Sequence, residues 1–228
     1  MPRETILVFD VNETLLDITT LEPLFARLFG DGDVMREWFA QLILYSQTMT
    51  LSGKYTPFGA LGAGVLKMVA EIRGVAVDST DLEEMKTLMG AMPAHADVAP
   101  ALTMLREAGF RLVTLTNSAP AGSPTPLEKA GIADYFERHF SVDGVRQFKP
   151  APQTYGQVAE ALEGAPAHLC LVACHLWDTI GAQAAGCRAA LVTRPGNALL
   201  PAEGVPVPDE VDSTLDGLAR QMMAAFPA

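Results

Sequence analysis

The sequence predicts an α/β protein: a doubly wound parallel sheet with a small helical domain inserted near its start. Three observations carry this. Short apolar runs of strand length recur, each followed by polar residues or Gly/Pro. Helical stretches lie between most of them, which is the pattern of right-handed crossovers in a parallel sheet. A long block between the first and second runs has helical periodicity and no strand pattern. The 228 residues suffice for one full core plus a small second domain. The expected division is residues 1–17 and 97–228 for the core and 18–96 for a helical cap.

Ile6 to Phe9 is the first apolar run, and Arg111 to Leu115, His168 to Ala173 and Ala189 to Val192 are the others. Runs apolar throughout are those of strands buried on both faces. Pro100 to Ala108 reads as a helix with Pro near its start and Gly109 just past its end. Pro126 to Ala130, Gln153 to Leu162 and Thr179 to Ala185 also read as helices, followed by Gly131, Gly164 and Gly186. Ser213 to Phe226 is the last, with Ser213 as N-cap and Asp216 three residues on. In the inserted block, Leu21, Leu24, Phe25 and Leu28 fall at helical spacing. So do Trp38, Leu42 and Tyr45, and Leu61, Val65, Met68 and Ile72. The cluster Gly59, Gly62 and Gly64 lacks dinucleotide-binding spacing and a preceding strand, and reads as helix packing. Residues 93–100 form the expected return linker.

Hydrophobic residues make up 49% and charged residues 19%, a balance that builds a core. The net charge is −11 with no Lys/Arg cluster, so no nucleic-acid partner is expected. The run Met-Pro-Arg-Glu-Thr leads directly into the first strand without an apolar signal segment, and no stretch is apolar enough to span a membrane. A cytoplasmic protein is expected. Cys170, Cys174 and Cys187 are too few and too odd in number for a disulfide framework. His175 is the one zinc-ligand candidate near Cys170 and Cys174, so buried reduced thiols are the simpler reading.

Ligands of an open parallel sheet bind beyond the carboxyl ends of its strands. The first strand delivers Asp10, Val11, Asn12, Glu13 and Thr14 to that edge. The second delivers Thr116, Asn117 and Ser118, and the third Cys174, His175, Trp177 and Asp178. Lys149 lies just before the helix at Gln153. An Asp, a Thr/Asn pair, a Lys and a second Asp thus converge from separate parts of the chain.

These segments, FDVNETLLD at 9–17, TLTNS at 114–118, FKPAPQTY at 148–155 and HLWD at 175–178, together resemble the haloacid dehalogenase superfamily. The order covers nearly the whole chain. FKPAPQTY and Trp177–Asp178 are most similar to the type II 2-haloacid dehalogenases. The resemblance implies a Rossmann-like core with a cap domain, no cofactor, and a homodimer. It implies hydrolytic conversion of short 2-haloalkanoic acids to 2-hydroxy acids, with a small halogenated carboxylic acid as substrate. Asp10 would attack the halogen-bearing carbon and water would then cleave the resulting ester. Lys149 would keep Asp10 ionised, with Tyr155 supporting it. Asp178 would pair with Lys149 and act as base or positioner for the water. Thr14 and Thr116 would hold the carboxylate, and the N–H groups of Val11 and Asn12 at a helix-start turn would bind the substrate carboxylate. Asn117 would face the departing halide, and Trp177, Phe39 and Phe58 would border the substrate.

Superfamily phosphatases carry a second Asp two residues after the nucleophile as general acid. Asn12 stands there, and it cannot donate an acid proton. Trp177 occupies one of the two acidic places of their last motif, leaving Asp178 as a poor basis for a Mg²⁺ site. No metal is therefore expected. The chain also departs from the dehalogenases: Phe39 stands where they carry a substrate-binding arginine, and Ala173 and His175 replace a Ser and an Asn. His175 either takes over part of halide or carboxylate binding or caps a strand end. Glu13 reads as solvent-exposed or a helix-start residue, Trp38 as core, and His95, His139 and His168 as surface groups. The rival readings are a Mg²⁺-dependent phosphatase of small phosphate esters and a non-catalytic binding protein on the same fold.

Overall fold

The computed structural model describes residues 4–120 and 122–226. The first three residues of the N-terminal run discussed above lie outside that range. The strands are β1 (Ile6–Phe9), β2 (Arg111–Thr116), β3 (Arg138–Ser141), β4 (Leu169–Ala173), β5 (Arg188–Val192) and β6 (Glu210–Asp212). They form one sheet in the order β3-β2-β1-β4-β5-β6, with every pairing parallel. This is the doubly wound order, and its switch point falls between β1 and β4. There Phe9 pairs with Val172, so Asp10 emerges beside the end of β4.

Four helices fill the connection from β1 to the core helix α5: α1 (Glu22–Phe29), α2 (Val34–Leu51), α3 (Phe58–Ile72) and α4 (Ser79–Met89). Their apolar stripes meet each other. Trp38 is 1% exposed, packs against Phe25 with ring centroids 5.5 Å apart, and donates its indole N–H to Gly62 O at 2.9 Å. Of Gly59, Gly62 and Gly64 only Gly62 is a packing position: a methyl there would lie 3.4 Å from Trp38 and 3.5 Å from Leu42, whereas Gly59 and Gly64 face open space. Helix α5 (Val98–Glu107) returns the chain to the sheet. Helices α6 (Pro126–Lys129), α7 (Pro152–Ala161) and α8 (Leu176–Ala184) join successive strands, and α9 (Leu215–Ala225) closes the chain onto α5.

The structure corrects several expectations. Strands β3 and β6 were not anticipated. They are the sheet's two edges, only half covered, and so carry no continuous apolar run. Helix α5 begins at Val98 inside the expected linker, with Pro100 in its first turn, where its missing N–H costs nothing. Thr214, not Ser213, caps α9, accepting from Gly217 N at 3.1 Å. No helix starts at Val11–Asn12. Glu13 takes a left-handed φ of 67°, which breaks any helix, and a turn carries the chain to a 3₁₀ segment at Ile18–Leu21. Glu13 is not exposed; it is 2% accessible. His95 and His168 are half-buried, and only His139 is exposed. The three cysteines are free and buried.

Candidate active site

Asp10 leaves β1 at the switch point and is 5% exposed. Its Oδ2 accepts from Thr14 Oγ1 at 2.7 Å and its Oδ1 from Lys149 Nζ at 2.7 Å. Thr14 in turn accepts from Cys174 N at 2.9 Å, which ties the loop after β1 to the end of β4. Lys149 is wholly buried. Its ammonium also donates to Asp178 Oδ2 at 2.6 Å and to Leu115 O at 3.2 Å, so all three of its protons are used. Tyr155 donates to Asp178 Oδ1 at 2.6 Å. Helix α8 packs against Pro150 and the Tyr155 hydroxyl so closely that Gly181 has no room for a side chain, which holds Asp178 beside Lys149 and Tyr155.

Electrostatics follow from the geometry. Burial by itself would raise the Asp10 carboxyl, but the Lys149 ammonium and His175 outweigh it and hold Asp10 far below the usual carboxylate range. Burial works against the Lys149 charge, while Asp10 and Asp178 more than restore it. Asp178 is raised by burial and by its neighbour Asp10, against the pull of Lys149. Tyr155 is raised well above its ordinary value by burial and by Asp178, so it remains a donor. Asp10 is the ionised nucleophile candidate of the group, and a buried carboxylate stripped of water is reactive toward an electrophilic carbon.

The remaining candidates surround this pair. Asn117 is 6% exposed, and its Oδ1 accepts from Lys149 N at 3.0 Å, which turns its N–H₂ away from that bond. Thr116 behaves differently from expectation: its hydroxyl accepts from Ser118 N at 3.1 Å instead of reaching Asp10, because it shapes the turn after β2. Asn12 donates to Ser118 Oγ at 3.4 Å across the same edge. Phe58 is buried against Phe148, the residue before Lys149, with centroids 5.8 Å apart. Phe39 and Trp177 enclose the His175 ring from two sides, at 5.5 Å and 5.2 Å.

A second buried network had not been singled out from the sequence. Glu13 Oε2 binds His175 Nε2 at 2.8 Å. Glu13 Oε1 receives Arg36 Nη1 and, at 2.9 Å, Asn197 Nδ2. His95 binds Glu13 O at 2.9 Å. Arg194 donates to Thr14 O from two nitrogens, at 3.2 and 3.1 Å, and to Asp97 at 2.8 Å. Arg36 was legible in principle, since it lies one helical turn before Phe39 and shares its face. Burial opposes charging of His175, but Cys174, Asp10 and Glu13 around the ring raise it well above its ordinary value. Glu13 is raised by burial yet ends below its ordinary value through His175 and Arg36.

Asp10, Cys174 and His175 each present one potential metal-ligand atom, all within 4.8 Å of one another. The donor set does not suit a divalent ion. Both Asp10 oxygens already accept hydrogen bonds, burial pushes the Cys174 thiol above its ordinary value, and the Lys149 ammonium occupies the same carboxylate.

Residues 5–186 match the family model for haloacid dehalogenase-like hydrolases. Among curated relatives, the (S)-2-haloacid dehalogenase of Xanthobacter autotrophicus is 30% identical over 189 residues, covering 82% of this chain and 74% of the relative. The (S)-2-haloacid dehalogenase 1 of Pseudomonas sp. (strain CBS-3) is 28% identical over 190 residues, covering 82% and 83%. The structure of L-2-haloacid dehalogenase from Xanthobacter autotrophicus with chloropropionic acid covalently bound superposes with a TM-score of 0.85 at 26% identity, covering 97% of this chain and 98% of that one. With both its sheet order and its sequence accounted for, the chain belongs to the haloacid dehalogenase-like hydrolase family.

Proposed function

We propose that this chain hydrolyses the carbon–halogen bond of a short 2-haloalkanoic acid and releases the 2-hydroxy acid and halide. One observation carries the reading: the Asp10 carboxylate is held by Thr14 and by the Lys149 ammonium, and the same ammonium takes up the neighbouring carboxylate of Asp178. Asp10 attacks the halogen-bearing carbon from behind, the halide leaves with the bonding pair, and an aspartyl ester results. Water then attacks the Asp10 carbonyl carbon. Lys149 keeps Asp10 anionic, and Asp178 with Tyr155 fixes Lys149. Asn117, with its N–H₂ free of the Lys149 contact, faces the halide together with Phe39 and Trp177. The N–H groups of Val11 and Asn12 take the substrate carboxylate, and Thr116 shapes that edge through Ser118. Holding carbon and carboxylate in line supplies up to about 7–11 kcal/mol of barrier reduction.

The helices of residues 18–96 act as a cap over this edge, with residues 1–17 and 97–228 as the core. The fit is supported by Thr50 Oγ1 accepting from Phe148 N at 2.9 Å, beside Lys149. Homodimer formation is supported by exposed apolar side chains on α2 and α3, with Leu51 89% and Ile72 71% accessible. No helix among the described residues is long and apolar enough to cross a membrane, which accords with a cytoplasmic enzyme.

The test is halide release from 2-chloropropionate in excess EDTA, with a single turnover in ¹⁸O-water. Undiminished release and label in Asp10 are expected. Activity lost to chelator and restored by Mg²⁺, on a phosphate ester, would instead identify a phosphatase.

A further inference from the structure

We propose that His175 is the base that activates the hydrolytic water in the second half-reaction, with Glu13 as its positioning residue. This rests on the aspartyl-ester reading above and assigns the step that resolves the ester.

The obvious carboxylate for that step is Asp178, and it is fully committed. One oxygen accepts from Lys149 and the other from Tyr155, and the side chain is 0% exposed. A base needs an unpaired nitrogen or oxygen within reach of the reacting carbon. His175 Nδ1 has that property. It is buried, has no hydrogen-bond partner, and its polar contact is the ion pair with Asp10 Oδ2 at 3.4 Å, which ester formation on Asp10 would release. The opposite ring nitrogen is held by Glu13 at 2.8 Å, so the orientation of Nδ1 is determined. The Phe39 and Trp177 rings pack against the imidazole, with centroids 5.5 Å and 5.2 Å away. Glu13 is itself fixed by Arg36 and Asn197 and adopts a left-handed backbone, a conformation that is strained for a non-glycine residue. Strain of this kind persists where the surroundings over-determine a residue, as they do here.

The charged and titratable groups facing the ring are Asp10 and Glu13 from the loop after β1 and Cys174 from its own strand end. Arg36 from α2 and Lys149 act through Glu13 and Asp10 respectively. Before reaction, two carboxylates flank the ring and His175 carries a proton on Nδ1. When an Asp10 oxygen bonds to the substrate carbon and the halide departs, Asp10 loses its charge. The imidazolium, left with one anion, gives its Nδ1 proton to solvent. Neutral Nδ1 then takes a proton from water as the water oxygen bonds to the Asp10 carbonyl carbon. The adduct breaks its bond to the alkyl-bearing oxygen. The departing alkoxide takes the remaining hydroxyl proton and becomes the 2-hydroxy acid. Asp10 is again a carboxylate and His175 again an imidazolium. The sum is haloacid plus water to hydroxy acid, halide and one proton.

Rapid-quench reactions with 2-chloropropionate would follow halide release and the mass of the Asp10 peptide in wild type, His175→Gln, Glu13→Gln and Asp178→Asn. His175→Gln should release one halide per site and accumulate the ester, with hydrolysis slowed by about 10²–10⁴-fold. Glu13→Gln should slow hydrolysis less and move its pH midpoint downward, because the imidazolium loses an anion. Turnover of His175→Gln within about twofold of wild type, without ester, would overturn the proposal. An unshifted profile in Glu13→Gln would do the same, even if His175→Gln does not fold. So would ester accumulating in Asp178→Asn alone. A wild-type enzyme that never forms the ester would instead sink the functional reading itself.

Discussion

Lys149→Met should separate the contributions of the buried ion cluster to folding and to chemistry. The ammonium lies 2.7 Å from Asp10, 2.6 Å from Asp178 and 3.2 Å from Leu115 O, with no solvent access. Methionine replaces its unbranched stem, lacks the terminal ammonium, and restores none of these bonds. Two carboxylates then remain in a space built for two anions and a cation. Removing one partner of a buried ion pair costs about 3–5 kcal/mol. With a urea slope of about 2–3 kcal/mol/M, the unfolding midpoint should fall by about 1–2 M. The pH dependence gives a second signature. In the wild type the Asp10 carboxyl lies below its ordinary value, so it contributes stability at all pH values above that range and loses it only in strong acid. Without the ammonium only His175 opposes burial and the mutual repulsion of Asp10 and Asp178, so the pair of carboxyls holds a proton above the ordinary carboxylate range. The variant should therefore lose stability as pH rises through that higher value. The gap between the two proteins should be large at pH 7.5 and narrow toward pH 4.5. Single-turnover halide release at pH 7.5 should fall sharply, since a protonated carboxyl is a poor nucleophile. A variant within about 1 kcal/mol of wild type at neutral pH, or a gap equal at both pH values, would refute the electrostatic account.

Gly181→Ala places a methyl 2.3 Å from Pro150 Cβ and 2.7 Å from the Tyr155 hydroxyl. It should cost about 1–3 kcal/mol or more and lower kcat by displacing Lys149 and Tyr155, read by thermal melting beside halide-release kinetics. Thr14→Val removes a donor to Asp10 and leaves the buried Cys174 N–H without an acceptor. The expected loss is about 1–3 kcal/mol, measured by urea unfolding, with slower ester formation. His175 is raised in the folded protein above its ordinary value of 6.5. Its contribution to stability should thus be complete below pH 6.5 and fade as pH rises through the higher folded value. The stability difference between wild type and His175→Gln, compared at pH 6 and pH 9.5, should shrink at the alkaline end.

Part of this architecture is legible in the sequence. Ile6–Phe9 and Leu169–Ala173 are central strands buried on both faces, so local composition alone marks them. Asp10, Lys149 and Asp178 follow strand ends or a motif, and such positions must converge at the sheet edge in any doubly wound fold. The edge strands escaped because their charged residues, Arg138 and Glu210 among them, are what a half-exposed edge requires. The N-cap of α9 was misplaced by one residue, since Ser213 and Thr214 have the same capping chemistry and only the backbone chooses between them.

The sequence by itself determined the four inner strands of the sheet, the helical insertion and the identity of the residues delivered to the switch point, because these depend on periodicity and on chain order. Tertiary structure alone decided their protonation and partners. Glu13 reads as an ordinary surface acid until Arg36, Asn197 and His175, which are remote from it along the chain, close around it. His175 reads equally as a halide or carboxylate binder and as a strand-end cap until its Nδ1 is found facing Asp10. Charge state and hydrogen-bond direction depend on distance and burial, and neither is a property of any local stretch of chain.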